Sequence, residues 1–254
     1  MNNKSFCSPP APMPAINCRR LRILLCAVCA LATVLPAGAS DAPQWMHALV
    51  SAPLPAHDEK TDAVLLDNVR GGRECVRHLL QGGHSRIAII TGSLALQTGL
   101  ERLRGYEEAL READIPVDRK LVFEGDVRDE SGYRLGKELL QRRVKPTAIF
   151  VCNGVMTLGV LKAFEEMGVQ CPDDIAMATF DDLAMDRYFH PHLTAVVQPG
   201  YEMGARAATI LMDRVEGKLK DEPSIVRIVP TLVIRESTRP RKTVGSLVSS
   251  SSSD

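Results

Sequence analysis

Ile175-Ala-Met-Ala-Thr-Phe-Asp-Asp-Leu-Ala-Met-Asp-Arg-Tyr-Phe-His-Pro-His-Leu-Thr-Ala-Val-Val-Gln198 is the stretch on which the reading of the chain turns. A short apolar run, Ile175–Phe180, ends in two carboxylates, Asp181 and Asp182. A polar loop containing Pro191 follows, and a second β-rich run ends in Gln198. In an open α/β sheet the carboxyl ends of the strands face the ligand crevice, so this pair stands where a polar small molecule would be held. Taken alone, the pair reads first as a loop start or a helix cap. Its surroundings decide the matter.

Working outward, apolar strand-like runs alternate with helical patterns from Asp62 onward. Val64–Leu66 reads as a strand. Gly71–Gln81 has Cys75, Val76, Leu79 and Leu80 at helical spacing and closes at Gly82-Gly83. Ile87–Thr91 is a β-branched strand, and Leu100–Ala113 a helix with Leu103, Tyr106 and Leu110 on one face. Leu121–Gly125 (strand), Ser131–Arg142 (helix), Ala148–Cys152 (strand) and Val155–Met167 (helix, stopped by Gly168) continue the alternation. Beyond Leu193–Val197, a helix over Tyr201–Val215 closes at Gly217, and Val226–Ile234 supplies one or two last strands. Strands separated by helices of this length predict an α/β fold: a parallel sheet with helices on both faces.

Residues 1–60 are different in kind. They hold half of all the prolines (Pro9, Pro10, Pro12, Pro14, Pro36, Pro43, Pro53 and Pro55) and little periodicity. Within them Arg19, Arg20 and Arg22 precede the apolar Ile23–Leu35, and Ala37-Gly38-Ala39 follows, which are the three parts of a secretory signal peptide. The run is too short to span a bilayer. A displaced or frame-shifted start would leave the same composition, and that reading is placed ahead of a working signal. A cytoplasmic location is therefore expected, with a periplasmic one if residues 13–39 act as a signal. Residues 241–254, nearly all serine from Ser246, read as a disordered tail.

Composition excludes several functions. Net charge is zero, which gives nucleic acid no electrostatic footprint to bind. Aromatics are only 4%, too few for a base-stacking platform. Cys26-Ala-Val-Cys29 has metal-like spacing but no second pair, and the scattered Cys75, Cys152 and Cys171 read as small core residues. His190 and His192 flank Pro191 without further ligands, so no metal is expected. The glycine pairs Gly71-Gly72 and Gly82-Gly83 lack the spacing of a dinucleotide fingerprint, and there is neither a phosphate loop nor a nucleophile elbow. No enzyme and no cofactor is expected.

Polar residues at successive strand ends form a more coherent set. Arg102 opens a helix after Ile87–Thr91, Asn153 ends a later strand, and Asp181 ends another. Parallel strands bring such ends to one edge, where a guanidinium, an amide and a carboxylate suit a hydroxyl-rich or heteroaromatic ligand. A solvated helix start, a turn residue and a cap are the competing readings of the three.

From Asp62 to Arg239 the chain resembles the effector-binding core of LacI/GalR-type bacterial transcription regulators. The segments that carry the resemblance are Leu66-Asp67-Asn68-x-x-Gly71-Gly72, His78-Leu79-Leu80-x-Gly82-Gly83-His84-x-Arg86-Ile87-Ala88 and Glu101-Arg102-Leu103-Arg104-Gly105-Tyr106. They continue with Glu130-Ser131-Gly132-Tyr133, Pro146-Thr147-Ala148-Ile149-Phe150, and Phe180-Asp181-Asp182 with Leu193-Thr194 and Gln198. The resemblance implies a type I periplasmic-binding-protein-like fold of two lobes. It makes Arg102, Asn153 and Asp181 effector contacts of the second lobe, about residues 67–197, with a first-lobe remnant at about 198–235. It implies a sugar, nucleoside or purine effector, a homodimer or pairing with an intact regulator, no membrane, and operator DNA as a partner only of an intact member. Gly154 stands where family members often carry Asp. The family's helix-turn-helix headpiece and most of its first lobe are not legible in residues 1–60, so a truncated form unable to bind operator alone is expected. A secreted sugar-binding protein of the same fold is the alternative. The apolar face of Tyr201–Val215 (Met203, Ala207, Ile210, Leu211, Val215) is expected to lack part of its sheet, at a cost of about 25 cal/mol per Å² left exposed.

Overall fold

The computed structural model describes residues 62–183, 190–219 and 222–239. The signal-like run, the Cys26–Cys29 pair and the serine tail lie outside the described residues. The described strands and helices are β1 (Ala63–Leu66), α1 (Asn68–Gln81), β2 (Ile87–Thr91), α2 (Gln97–Glu112), β3 (Val122–Glu124), α3 (Asp129–Leu140) and β4 (Ala148–Val151), followed by α4 (Gly154–Glu166), β5 (Ala176–Phe180), β6 (Thr194–Val197), α5 (Gly200–Val215), β7 (Ile225–Ile228) and β8 (Thr231–Val233).

Six strands form one sheet in the order β3-β2-β4-β5-β6-β8. All its pairs are parallel except β6–β8, which is antiparallel. Ile89 pairs with Phe150, Phe150 with Ala178, and Phe180 with Val196, so the strand ends at Thr91, Val151 and Phe180 rise to one edge. Because side chains alternate along a strand, each strand feeds two cores. Ile87, Ile89, Phe150, Ala178 and Phe180 pack with Cys75, Val76 and Leu79 of α1 and Leu103, Tyr106 and Leu110 of α2. Ala88, Ile90, Ile149, Val151 and Met177 pack with Leu135 and Leu139 of α3 and Val160 and Phe164 of α4. The strands of the sheet's centre are apolar on both faces for this reason. Helices cover both faces, as the sequence pattern predicts.

The helices on each face cross closely at glycines. A Cβ on Gly132 of α3 would lie against the carbonyl oxygen of Met156 in α4, and one on Gly72 of α1 would lie 2.8 Å from the Arg102 carbonyl oxygen in α2. Only a residue without a side chain permits these approaches.

A second, two-stranded sheet pairs β1 with β7 in parallel, from Ala63–Ile225 to Leu66–Ile228. The segment expected to hold one or two last strands thus splits between sheets: β7 pairs with β1, and after Val229-Pro230, β8 joins the edge of the large sheet. Helix α5 leans on β1, and Arg214 near its end donates to both Asp62 oxygens at 2.8 and 3.0 Å. On α5 only Gly204 and Ile210 are buried, while Tyr201 is 90% exposed and Met212 and Val215 are more than half exposed. The turn at Glu236–Thr238 is pinned back onto α1 and β6 by a hydroxyl chain: His78 Nε2 to Thr238 Oγ1 at 2.7 Å, and Thr238 Oγ1 to Thr194 Oγ1 at 2.6 Å.

Two element starts differ from the sequence reading by three residues. α1 begins at Asn68 rather than Gly71, because the Asp67 carboxylate caps it by accepting from the Arg70 amide at 3.0 Å. α2 begins at Gln97 rather than Leu100; its N-cap position is Leu96, which offers no side-chain cap. Arg102 therefore sits in the second turn and not at the helix start.

Two outcomes follow from this packing. Gly132→Ala is expected to destabilise the chain by about 2–3 kcal/mol, since the added methyl forces α3 away from α4; urea unfolding measures it. The hydrogen bonds from Arg214, opposed by burial and aided by the Ser224 amide, hold the Asp62 carboxyl below its ordinary range. A depressed folded-state value contributes stability above the unfolded value of 3.8, which is lost as pH falls through the folded one. Asp62→Asn should therefore flatten the acid limb of the stability–pH curve below pH 3.8 and leave its shape near neutrality unchanged.

Candidate effector-binding site

Strands β4 and β5 end side by side, and each delivers a polar residue to the carboxyl edge. After Val151 the chain turns through Cys152 to Asn153, whose extended backbone (φ −162°, ψ 139°) makes it the N-cap of α4. Its Oδ1 accepts from the amides of Val155 at 2.9 Å and Met156 at 3.2 Å. That occupies the oxygen and leaves the Nδ2 donors without an acceptor among the described residues.

Asp181 follows β5 with φ +81°, a left-handed conformation that is uncommon outside glycine and that Asp and Asn adopt most readily. The turn aims its carboxylate across the sheet. Oδ2 accepts from the Gly154 amide at 3.3 Å, in the first turn of α4, and Oδ1 accepts from Nε2 of Gln198 beyond β6. Asp181 thus caps a neighbouring helix, where the helix dipole favours its charge, and still has acceptor capacity to spare. Asp182, its neighbour, does different work. It holds a bidentate pair with Arg235 at 2.8 and 2.9 Å and so ties the chain after β8 to the end of β5. The paired carboxylates of the sequence are one candidate site residue and one structural clasp.

Arg102 reaches the same edge from α2 and is only 8% exposed. Its Nε donates to Asn68 Oδ1 at 2.9 Å and its Nη1 to the Cys152 carbonyl at 2.5 Å. Its guanidinium carbon lies 3.6 Å from the centre of the Phe180 ring. Burial pushes the Arg102 pKa down, and the charge of Asp181 opposes that most strongly, followed by Cys152 and Glu101. An arginine remains a cation through this. Its Nη2 has no acceptor among the described residues. Burial also pushes the Cys152 thiol up to about 12, which makes it an inert wall of the site and not a nucleophile.

The three residues picked from the sequence converge at one edge, tied by Cys152–Asn153–Gly154 and by the Asp181–Arg102 attraction. Three more belong to the arrangement and were read only as parts of motifs: Asn68, Phe180 and Gln198. Asn68 is 4% exposed, which sequence spacing alone does not reveal. His190 and His192 meet edge to face, with ring centres 4.9 Å apart. Among the described residues no group of three or more His, Cys, Asp or Glu is placed to hold a metal ion. No described helix is long and apolar enough to cross a membrane.

The periplasmic binding protein-like domain family matches residues 76–238. The chain belongs to that family. Within it, the described part is similar to the core of LacI-family transcription regulators. The HTH-type transcriptional repressor PurR of Shigella dysenteriae is 37% identical over 177 residues, covering 70% of this chain and 52% of the relative. The chain thus spans about half the length of the curated relatives it matches. Among solved structures, the transcriptional regulator CelR in complex with cellobiose superposes with a TM-score of 0.68 at 36% identity, covering 73% of this chain and 56% of that one. A LacI-family regulator from Enterococcus faecium with bound ribose gives 0.67 at 30% identity, covering 74% and 69%. These relatives are named as repressors and regulators, not as enzymes.

The cap role of Asn153 is open to substitution. Asn153→Ala should cost about 1 kcal/mol through loss of the α4 cap, and Asn153→Ser, which can still cap, only a few tenths. Thermal unfolding of both variants checks this.

Proposed function

We propose that this chain is the small-molecule-sensing core of a LacI/GalR-type bacterial transcription regulator, and that Arg102, Asn153 and Asp181 contact the effector from one wall of its cleft. The observation that carries the reading is the buried Arg102 cation. It is held at the carboxyl edge by groups from the ends of β1 and β4, stacked on the residue that ends β5, and faced by Asp181. Arg102 Nη2 and the Asn153 Nδ2 donors, with the spare lone pairs of Asp181, offer both senses of hydrogen bond to one ligand.

The cation and the carboxylate offset each other, which favours a neutral, hydrogen-bonding effector over an anion. Sugars, nucleosides and purines meet that description, and cellobiose and ribose are the ligands bound to two similar regulators. The work is binding rather than catalysis: Asp181 is already engaged by the Gly154 amide and Gln198, and the Cys152 thiol is protonated. Reading of operator DNA is assigned to the whole regulator, outside the described residues. Assembly as a homodimer, or with an intact regulator, in the cytoplasm accords with that role.

Calorimetry against cellobiose, ribose, purine nucleosides and purine bases tests the proposal. One of these classes is expected to bind. Asp181→Asn keeps the left-handed backbone and the fold but removes the charge, and Arg102→Met keeps much of the bulk. Each is expected to weaken binding at least about tenfold, the worth of a charged hydrogen bond. A variant with unchanged affinity removes its residue from the site, and a wild-type chain that binds none of the panel overturns the proposal.

A further inference from the structure

Glu101 precedes the arginine of the site and is itself nearly buried, its side chain 11% exposed. Successive residues on a helix point about 100° apart, so the two side chains serve different neighbours. Glu101 turns toward the β1–β7 side. Its Oε2 accepts from Asn68 Nδ2 at 3.0 Å, and its Oε1 from Gln97 Nε2 at 3.1 Å and from Arg227 Nη1 of β7 at 3.4 Å.

The contact with Asn68 has a directional consequence. An amide side chain presents an oxygen on one side and an NH2 on the other, and nothing in its shape selects which way round it sits. Arg102 Nε is a donor and needs the oxygen. An ionised carboxylate only accepts, so Glu101 must receive the NH2 and thereby turns the oxygen toward Arg102. The NH2 also reaches the carbonyl of Leu66 at 3.3 Å, the last residue of β1. One carboxylate is therefore bonded to Asn68 at the start of α1, to a side chain of β7 and, through Asn68, to the guanidinium at the carboxyl edge.

We propose that Glu101 is a positioning residue: its carboxylate fixes the orientation of the Asn68 amide, and through it of the Arg102 guanidinium, while its pairing with Arg227 couples that guanidinium to the β1–β7 sheet. Its bearing on effector binding rests on the role proposed above for Arg102. Its bearing on Arg102 itself does not, and the two are measured separately.

Side-chain NMR on the full chain reads the first directly, through hydrogen exchange at Arg102 Nε–H. The exposed Arg104, whose Nε donates to Glu108 at 2.8 Å on the same helix, is the internal reference. Exchange of the Asp67 amide, which donates to the Ile228 carbonyl at 2.8 Å, reports on the junction of β1 with β7. In Glu101→Gln, which preserves shape, Arg102 Nε–H is expected to exchange at least about tenfold faster with Arg104 unchanged. Arg227→Met, at a half-exposed position that does not threaten folding, should raise Asp67 exchange a few-fold and Arg102 exchange in the same direction by less. Unchanged Arg102 exchange in a folded Glu101→Gln chain overturns the positioning role. Unchanged exchange at both sites in Arg227→Met overturns the coupling. Calorimetry of Glu101→Gln with cellobiose and ribose adds the binding arm, with affinity expected to fall in step with the loss of Arg102 protection. If neither sugar binds the wild-type chain, the effector class is at fault, and the exchange rates still decide the role of Glu101.

Discussion

The arrangement of this protein's working edge depends on one buried cation. Removing a guanidinium from water costs several kcal/mol unless hydrogen bonds and opposite charge replace its hydration. Arg102 meets that demand by drawing on separate pieces of chain: the Asn68 oxygen after β1, the Cys152 carbonyl after β4, and the Phe180 ring and Asp181 charge at the end of β5. The partners come from segments that lie far apart in the chain, so the arginine is satisfied only when the strand ends are brought together correctly. A buried charge here acts as a check on the sheet's geometry as well as supplying a donor for the proposed effector contact.

The same economy explains the divergent fates of the two adjacent aspartates. Asp181 can look across to α4 because its backbone enters the left-handed region, which turns the following residue outward. Asp182 then faces Arg235 and helps hold β8 antiparallel to β6 at the sheet's edge. One carboxylate remains available to a ligand because the other takes the structural ion pair.

Much of the fold was legible beforehand, and for a simple reason. Strands buried on both faces must be apolar at every position, and helices buried on one face must repeat their apolar residues near every third or fourth position. Ile87–Thr91 and the helix over 154–166 are read almost to the residue on that basis. The start of α2 was missed because Leu96 gives no capping signal, and that error also placed Arg102 at an exposed helix start instead of in a buried second turn. The split of residues 225–233 between two sheets was left open, since periodicity records that a segment is extended but not which edge it joins. Asn68 and Glu101 were quoted within motifs but given no role. Their burial, and hence their chemistry, arises from the approach of α2 to β1 and β7.

By itself the sequence determined the alternation of strands and helices, the parallel sheet covered on both faces, and the candidacy of Arg102, Asn153 and Asp181, because these follow from local periodicity and from which residues end strands. Tertiary structure alone decided that Asn153 and Asp181 converge on the first turn of α4, that Asp182 is a clasp, and that Glu101 and Asn68 stand behind Arg102. Those are relations between segments far apart in the chain. Their physical cause is the burial of polar groups that must find partners wherever packing has placed them.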